Sequence, residues 1–180
     1  EKFHWQMDVN YYGTVHSVMA FLPLMEPGAF ITNISSTVGF LGVYGYTAYG
    51  ASKYAVNGLS EALRMELKPH RIQVSLVIPA DTQTPQLAYE LQYKPEVTRR
   101  ITKVAGLMEP QKVAEEILDG IARGKYLILP GSETKFLYAL LRIFGRSLFY
   151  AYFDGLVRRT LHEMASSKED ISGEHKGTPD

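Results

Sequence analysis

The chain has 180 residues, 46% hydrophobic and 21% charged, with 19 basic and 19 acidic side chains balancing to a formal net charge of zero. That length suits one domain with a sizeable core, and the charge balance offers no broad attraction to nucleic acid. The absence of cysteine excludes a disulfide framework and thiolate chemistry. The N-terminus shows no signal-peptide pattern, and no repeat of fixed period runs through the chain. The histidines at 4, 16, 70, 162 and 175 have no metal-ligand spacing, so no metal site is expected.

Residues 2–22 place Phe3, Met7, Tyr11, Val15, Val18 and Leu22 at helical spacing, and Pro23 and Pro27-Gly28 end the pattern. Asn10 falls inside this helix, where asparagine is a mediocre helix former. Residues 29–34 are a short apolar run breaking into Ser35 and Ser36, as a buried strand does at its end. Gly39, Gly42 and Gly45 punctuate the connection that follows. Residues 47–67 then read as a long helix, stopped before Pro69. Its small-residue face, Ala51, Ala55, Gly58, Leu59, Ala62 and Leu63, suits close packing against a sheet or across a dimer.

Tyr49 and Lys53 stand one turn apart on that helix and share a face. A free phenol, with a pKa of ~10, is a sluggish acid near neutrality. A neighbouring ammonium favours the phenolate and lowers that value. The Ser36 hydroxyl at a strand end can hold a substrate oxygen within hydrogen-bond distance of the phenol. The three divide the work of moving a proton at a carbonyl or alcohol oxygen: Tyr49 transfers it, Lys53 tunes it and Ser36 orients the substrate. None can carry a hydride, so a redox reaction needs a cofactor.

Residues 73–78 form a second buried strand, running into the loop Pro79-Ala80-Asp81-Thr82-Gln83-Thr84-Pro85. Residues 86–108 follow as a less patterned segment whose Arg99 and Arg100 suit a solvated face. Glu109-Pro110 opens a helix to Arg123 with Val113, Ile117, Leu118 and Ile121 on one face. Residues 125–129 are a third short strand. Residues 136–157 are strongly apolar and aromatic but carry Arg142, Arg146 and Asp154, which disfavours a bilayer span. Two placements stay open: an amphipathic helix pair in the membrane interface with its arginines at the headgroups, or a segment packed on its own domain or a partner. Residues 165–180 are polar and read as a mobile tail.

Ser36, Tyr49 thirteen residues later, and Lys53 within Y-G-A-S-K resemble the active site of the short-chain dehydrogenase/reductases. The resemblance implies an α/β fold, a Rossmann-type parallel sheet with helices on both faces, and ligands at the strand C-terminal ends. It makes V-N-Y-Y-G the element whose asparagine, Asn10, joins Ser36, Tyr49 and Lys53 in a catalytic tetrad and supports a water relay. It makes 79–84 the loop that holds a nicotinamide, with Tyr49, Lys53, Pro79, Thr82 and Thr84 as cofactor contacts. Ala80 stands where the family commonly has glycine. The family's glycine-rich phosphate cradle follows no strand here, so the chain resembles the C-terminal part of such an enzyme, incomplete in this sequence. On this reading 1–134 is that part of the Rossmann domain, 135–164 an apolar amphipathic helical segment and 165–180 the tail.

The D-T-Q-T-P loop and F-D-G-L-V-R-R narrow the resemblance to the branch acting on sphingoid bases. That implies NADPH-dependent reduction of a long-chain 3-keto sphingoid base, by a homo-oligomer associated with the cytosolic side of a membrane, the endoplasmic reticulum in a eukaryote. A reductase of another lipid, steroid or retinoid carbonyl, and a non-catalytic membrane-associated module, are the alternatives.

Overall fold

The computed structural model describes residues 1–103 and 106–174, with side chains through 166. The first helical stretch is α1 (Lys2–Met7), a π turn over Asp8–Tyr12, and α2 (Gly13–Phe21). Then come β1 (Phe30–Ile34), α3 (Thr47–Leu67), β2 (Gln73–Val77) and β3 (Asp81–Thr82). The remainder is α4 (Pro85–Tyr93), α5 (Glu96–Thr102), β4 (Leu107–Met108), α6 (Pro110–Ala122), β5 (Leu127–Ile128) and α7 (Ser132–Glu174).

The main sheet is parallel in the order β1-β2-β5, with Phe30 opposite Gln73, Ile34 opposite Val77, and Leu76 opposite Leu127. Parallel neighbours need crossover connections, and α3 supplies the one from β1 to β2. The β-branched and leucine-rich core of β2 is buried at four of its five positions, as a strand covered on both faces requires. One core cluster joins Val18 of α2, Leu63 and Leu67 of α3, Ile31, Ile72 and Val74. The other joins Phe40, Leu41, Leu76 and Ile78 to Leu137 and Phe149 of α7. Each such fully buried side chain contributes about 1.5–3 kcal/mol over its exposed state. Helices on both sides of a small parallel sheet give the α/β architecture that the resemblance implies.

The structure corrects one of these expectations and sharpens others. On α3 the buried residues are Gly50, Ser52, Val56, Ser60, Leu63 and Leu67; of the small-residue face Leu63 is buried and Leu59 packs on the same core cluster, Ala55 and Ala62 are half-buried, and Ala51 and Gly58 face outward. On α6, Leu118 is 66% exposed. It lies five residues past buried Val113, well off the stripe that Val113, Ile117, Gly120 and Ile121 form at helical spacing. A two-residue parallel ladder, β3 with β4, ties the 79–84 loop to Leu107 and Met108. Finally, α7 is two helices joined at Gly145, whose φ of 70° and ψ of −177° are open to glycine alone. Its backbone stays helical through Glu174, into the stretch read as a tail; residues 175–180 lie outside the described residues.

Candidate active site

Strand β1 delivers Ser36 to the site. Ser36 is in extended conformation and caps a 3₁₀ turn over Thr37–Gly39, its hydroxyl accepting a long hydrogen bond of 3.5 Å from the Val38 amide. Gly39 lets this turn close on α3: a Cβ there would lie 2.6 Å from Ser35 Oγ, and Asn57 Nδ2 donates to the Gly39 carbonyl at 2.8 Å. Gly45, at φ 82°, makes the bend that opens α3; a Cβ on it would lie 2.7 Å from Thr98 Oγ1. The chain thus enters the helix with Tyr49 directed toward Ser36.

The four residues of the expected tetrad line one cavity of about 290 Å³, together with Pro79, Thr82 and Thr84. The Tyr49 phenol shares this wall with the Ser36 hydroxyl, which favours its ionised form. Lys53 Nζ donates to the Ile34 carbonyl at 3.1 Å and sits 5.7 Å from the centre of the Tyr49 ring. Asn10 Nδ2 donates to Gln6 Oε1 at 2.8 Å and to Ser52 Oγ at 3.0 Å, and the Ser52 hydroxyl donates to the Tyr49 carbonyl at 2.7 Å. Asn10 therefore connects the first helix to the backbone of the turn that carries Tyr49. The π turn aims it there, and such turns are frequent at functional sites.

The electrostatics correct one expectation. Tyr49 is not lowered by Lys53; burial pushes its pKa up to about 12, the Ser36 hydroxyl pulls the other way, and Glu90, Tyr46 and Asp81 add to the rise. Burial also pushes the Lys53 ammonium down. Desolvation of the phenolate outweighs a cation that lies beneath the ring rather than at the hydroxyl. Near neutrality Tyr49 holds its proton, which is the state a proton donor needs.

Sequence reasoning missed a second layer of contacts. Lys94, its side chain 1% exposed, donates to Asp81 Oδ2 at 2.9 Å and lies 5.6 Å from the Tyr46 ring centre. The Tyr46 ring meets Tyr49 edge-on at 5.5 Å. Burial raises the Tyr46 phenol against the pull of Lys94. For Lys94, burial lowers the pKa, but the Asp81 carboxylate and the Tyr46 phenol together outweigh it, and its pKa is raised. Tyr46 and Asp81 had signals, one a turn before Tyr49 and the other inside the 79–84 loop. Lys94 had none, standing alone in an unpatterned segment.

The 79–84 loop runs along the cavity. Among the described residues Arg71 is the one non-glycine with left-handed backbone, so Ala80 needs no glycine there. Thr82 Oγ1 donates to the Ala80 carbonyl at 3.1 Å, and Thr84 caps α4, accepting from the Leu87 amide at 3.3 Å. A nicotinamide nucleoside fits this wall: Lys53, a three-proton donor, has the Ile34 carbonyl as its hydrogen-bond acceptor among the described residues, and the loop lies beside Tyr49. The pyrophosphate finds no counterpart, because no G-x-x-x-G-x-G sequence follows a strand in these 180 residues, and Gly39, Gly42 and Gly45 belong to the loop before Tyr49.

Comparison with known proteins agrees with this geometry. Residues 1–94 match the family model described as short chain dehydrogenase. The chain is 37% identical over 142 residues to a 3-dehydrosphinganine reductase of Danio rerio, covering 78% of this chain and 43% of that protein. It is 38% identical over 161 residues to a 3-ketodihydrosphingosine reductase of Dictyostelium discoideum, covering 87% and 48%. The chain thus spans less than half the length of these relatives. Its fold superimposes with a TM-score of 0.70 on a short chain dehydrogenase of Burkholderia cenocepacia solved with NADP, at 22% identity over 84% of this chain and 58% of that one. With the serine, tyrosine and lysine on one cavity wall and the family model matching more than half its length, the chain belongs to the short chain dehydrogenase family.

Proposed function

We propose that this chain forms the catalytic and nicotinamide-binding part of a reductase that converts a long-chain 3-keto sphingoid base to dihydrosphingosine with NADPH. The observation that carries the reading is Tyr49, protonated and sharing with Ser36 the wall of a cavity bounded by the 79–84 loop. The names of the relatives supply the substrate class.

When bound, the nicotinamide supplies a hydride to the carbonyl carbon. Ser36 and Tyr49 hydrogen-bond the carbonyl oxygen and stabilise the charge that develops on it. Tyr49 gives its proton to that oxygen. Lys53 would hold the nicotinamide ribose, and Pro79, Thr82 and Thr84 the carboxamide end. Asn10, anchored on Ser52, would support the water that returns a proton to Tyr49. Leu87, Ile101, Leu137 and Phe153 give the cavity the apolar lining an alkyl chain needs. In the complete enzyme, a panel of long-chain, steroid and retinoid ketones assayed with NADPH and NADH tests this; a steroid or retinoid turned over faster than the 3-keto sphingoid base refutes the substrate, and faster turnover with NADH refutes the cofactor.

The reading extends to a membrane surface. Among the described residues no helix is long and apolar enough to cross a membrane. Yet Phe136, Ile143, Phe144, Leu148 and Tyr152 of α7 are exposed while Leu137 and Phe149 anchor the same helix in the core. Such a surface, with Arg142 and Arg146 beside it, suits the interface of a bilayer that holds the substrate's alkyl chain. Phe136→Ser, Ile143→Ser, Phe144→Ser and Leu148→Ser together should release the protein from anionic vesicles without unfolding it; undiminished cosedimentation would place the contact elsewhere. The outward Ala51 and Gly58 of α3 leave room for a second copy in a homo-oligomer.

A further inference from the structure

The charged side chains on the cavity wall do not cancel locally. Three line it: Lys53, Asp81 and Glu90. Asp81 is neutralised by Lys94 at 2.9 Å. Lys53 faces the Tyr49 ring and the Ile34 carbonyl. Glu90, half-buried on α4, forms no ion pair among the described residues, and its one side-chain partner is Gln86 Nε2 at 2.9 Å, a neutral donor. Its field reaches both Tyr46 and Tyr49, and it is the first of the charged groups that raise the Tyr49 phenol. A half-buried carboxylate on the same cavity wall as the proton donor, with no ion-pair partner among the described residues, is a ready partner for a cation that arrives with the ligand.

We propose that Glu90 is a specificity residue: it binds an ammonium group carried by the substrate on the carbon next to the carbonyl, and so selects 2-amino ketones from other long-chain ketones. The proposal rests on the reductase reading above, because it places the carbonyl at Ser36 and Tyr49. A 3-keto sphingoid base carries its amine one carbon from that carbonyl. With the carbonyl oxygen held by Ser36 and Tyr49, the ammonium is confined to the stretch of wall within a few ångströms of the phenol, where the field of Glu90 is felt. The paired Asp81 is already committed to Lys94 and offers less. Once bound, the ammonium offsets the charge of Glu90 beside Tyr49 and lies near the oxygen that becomes negative as the carbonyl is reduced, so its attraction grows toward the transition state. The amine keeps all its protons throughout; Glu90 exchanges none.

The test is a selectivity ratio. In the complete enzyme, kcat/KM is measured for the 3-keto sphingoid base and for its N-acetyl derivative, which has the same chain and carbonyl but no charge, with wild type and Glu90→Gln. Wild type should favour the amine by about 10- to 100-fold, the scale of one charge-assisted hydrogen bond, and the variant should bring the ratio close to one. Glu90→Lys should invert it. A merely structural role would lower both rates and leave the ratio standing, and that result overturns the proposal. Binding of dihydrosphingosine and of its N-acetyl form, read by equilibrium fluorescence competition, separates the two readings. Glu90-dependent preference for the amine with no turnover of either ketone upholds this inference and sinks the reductase. Turnover without a Glu90-dependent ratio does the reverse, and neither signal sinks both.

Discussion

Strands β1 and β2 are both five residues long and pair in register, yet they live in different surroundings. β2 has a neighbour on each side and is buried at four positions; β1 has β2 on one side, no partner on the other among the described residues, and exposes Phe30 and Ile34. The groove along that open edge is lined by Val9, Val18, Phe21, Met25 and Ile31, with Thr14, Ser17, Thr32 and Asn33 among them. Trp5 and Phe21 on the adjoining helices are about 60% exposed. Around the C-terminal ends of the same strands the polar groups answer one another: Asn10 with Ser52, Ser52 with the Tyr49 backbone, Lys94 with Asp81. The wall that carries Ser36, Tyr49 and Lys53 is a self-consistent unit within this chain, while the outer edge of β1 is left open and apolar among the described residues.

The largest effect tests the wall. In the complete enzyme Tyr49→Phe should lower kcat about a thousandfold, the range of a lost general acid, with no loss of fold, since one hydroxyl leaves. Wild-type turnover would remove Tyr49 from the mechanism. The next tests the edge. The 180 residues alone should show no NADPH binding by calorimetry and should self-associate as concentration rises in sedimentation runs, because an unpaired strand edge and exposed apolar side chains seek partners. Tight NADPH binding by this chain, or a monomer at all concentrations, would mean that the edge is not an interface.

A smaller effect probes the layer under Tyr46. Lys94→Met leaves Asp81 half-buried without its cation and should destabilise the fold by about 1–2 kcal/mol, discounted for the solvent that reaches Asp81. An unchanged denaturation midpoint would show the pair to be worth nothing. The last is a pH dependence. Tyr49 holds its proton to about 12 in the folded chain, while a free phenol ionises near 10. Its contribution is whole below pH 10 and drains away as pH rises from 10 to 12, because the unfolded state then binds fewer protons. Urea midpoints across that window should fall less steeply in Tyr49→Phe; parallel curves would deny Tyr49 its raised pKa.

Much of this was legible in the sequence where a pattern was long. The limits of α3 fall at Thr47 and Leu67 as read, since Pro69 stops a 21-residue periodic stretch, and β1 and β2 each fall within a residue of their apolar runs. Tyr49 and Lys53 share a face because residue spacing on a regular helix fixes direction, with Ser36 at a strand end opposite them, while Asn10, in the π turn, was reached through the family resemblance. What spacing cannot carry is depth. Leu118 matched a stripe on paper but lies outside the arc that touches β5, and the Tyr49 phenol goes up rather than down because burial is a tertiary quantity. The β3–β4 ladder is too short to leave a periodic trace, and Lys94 is one lysine among many until its side chain is seen enclosed.

The π turn over Asp8–Tyr12 has a further consequence for how this helix tolerates changes of length. A π turn accommodates one surplus residue while the helix on either side keeps its register. Removing one residue between 8 and 12 would let the stretch relax to ordinary α spacing, with Val18 still facing the core cluster it occupies now. What would change is local: the Asn10 carbonyl that accepts from Thr14 Oγ1 at 2.8 Å, and the aim of the Asn10 amide at Ser52. Folding and site assembly thus come apart at the resolution of a single codon, and a shortened helix in a homologue would mark a protein that keeps the architecture but has parted with the anchor of its catalytic turn.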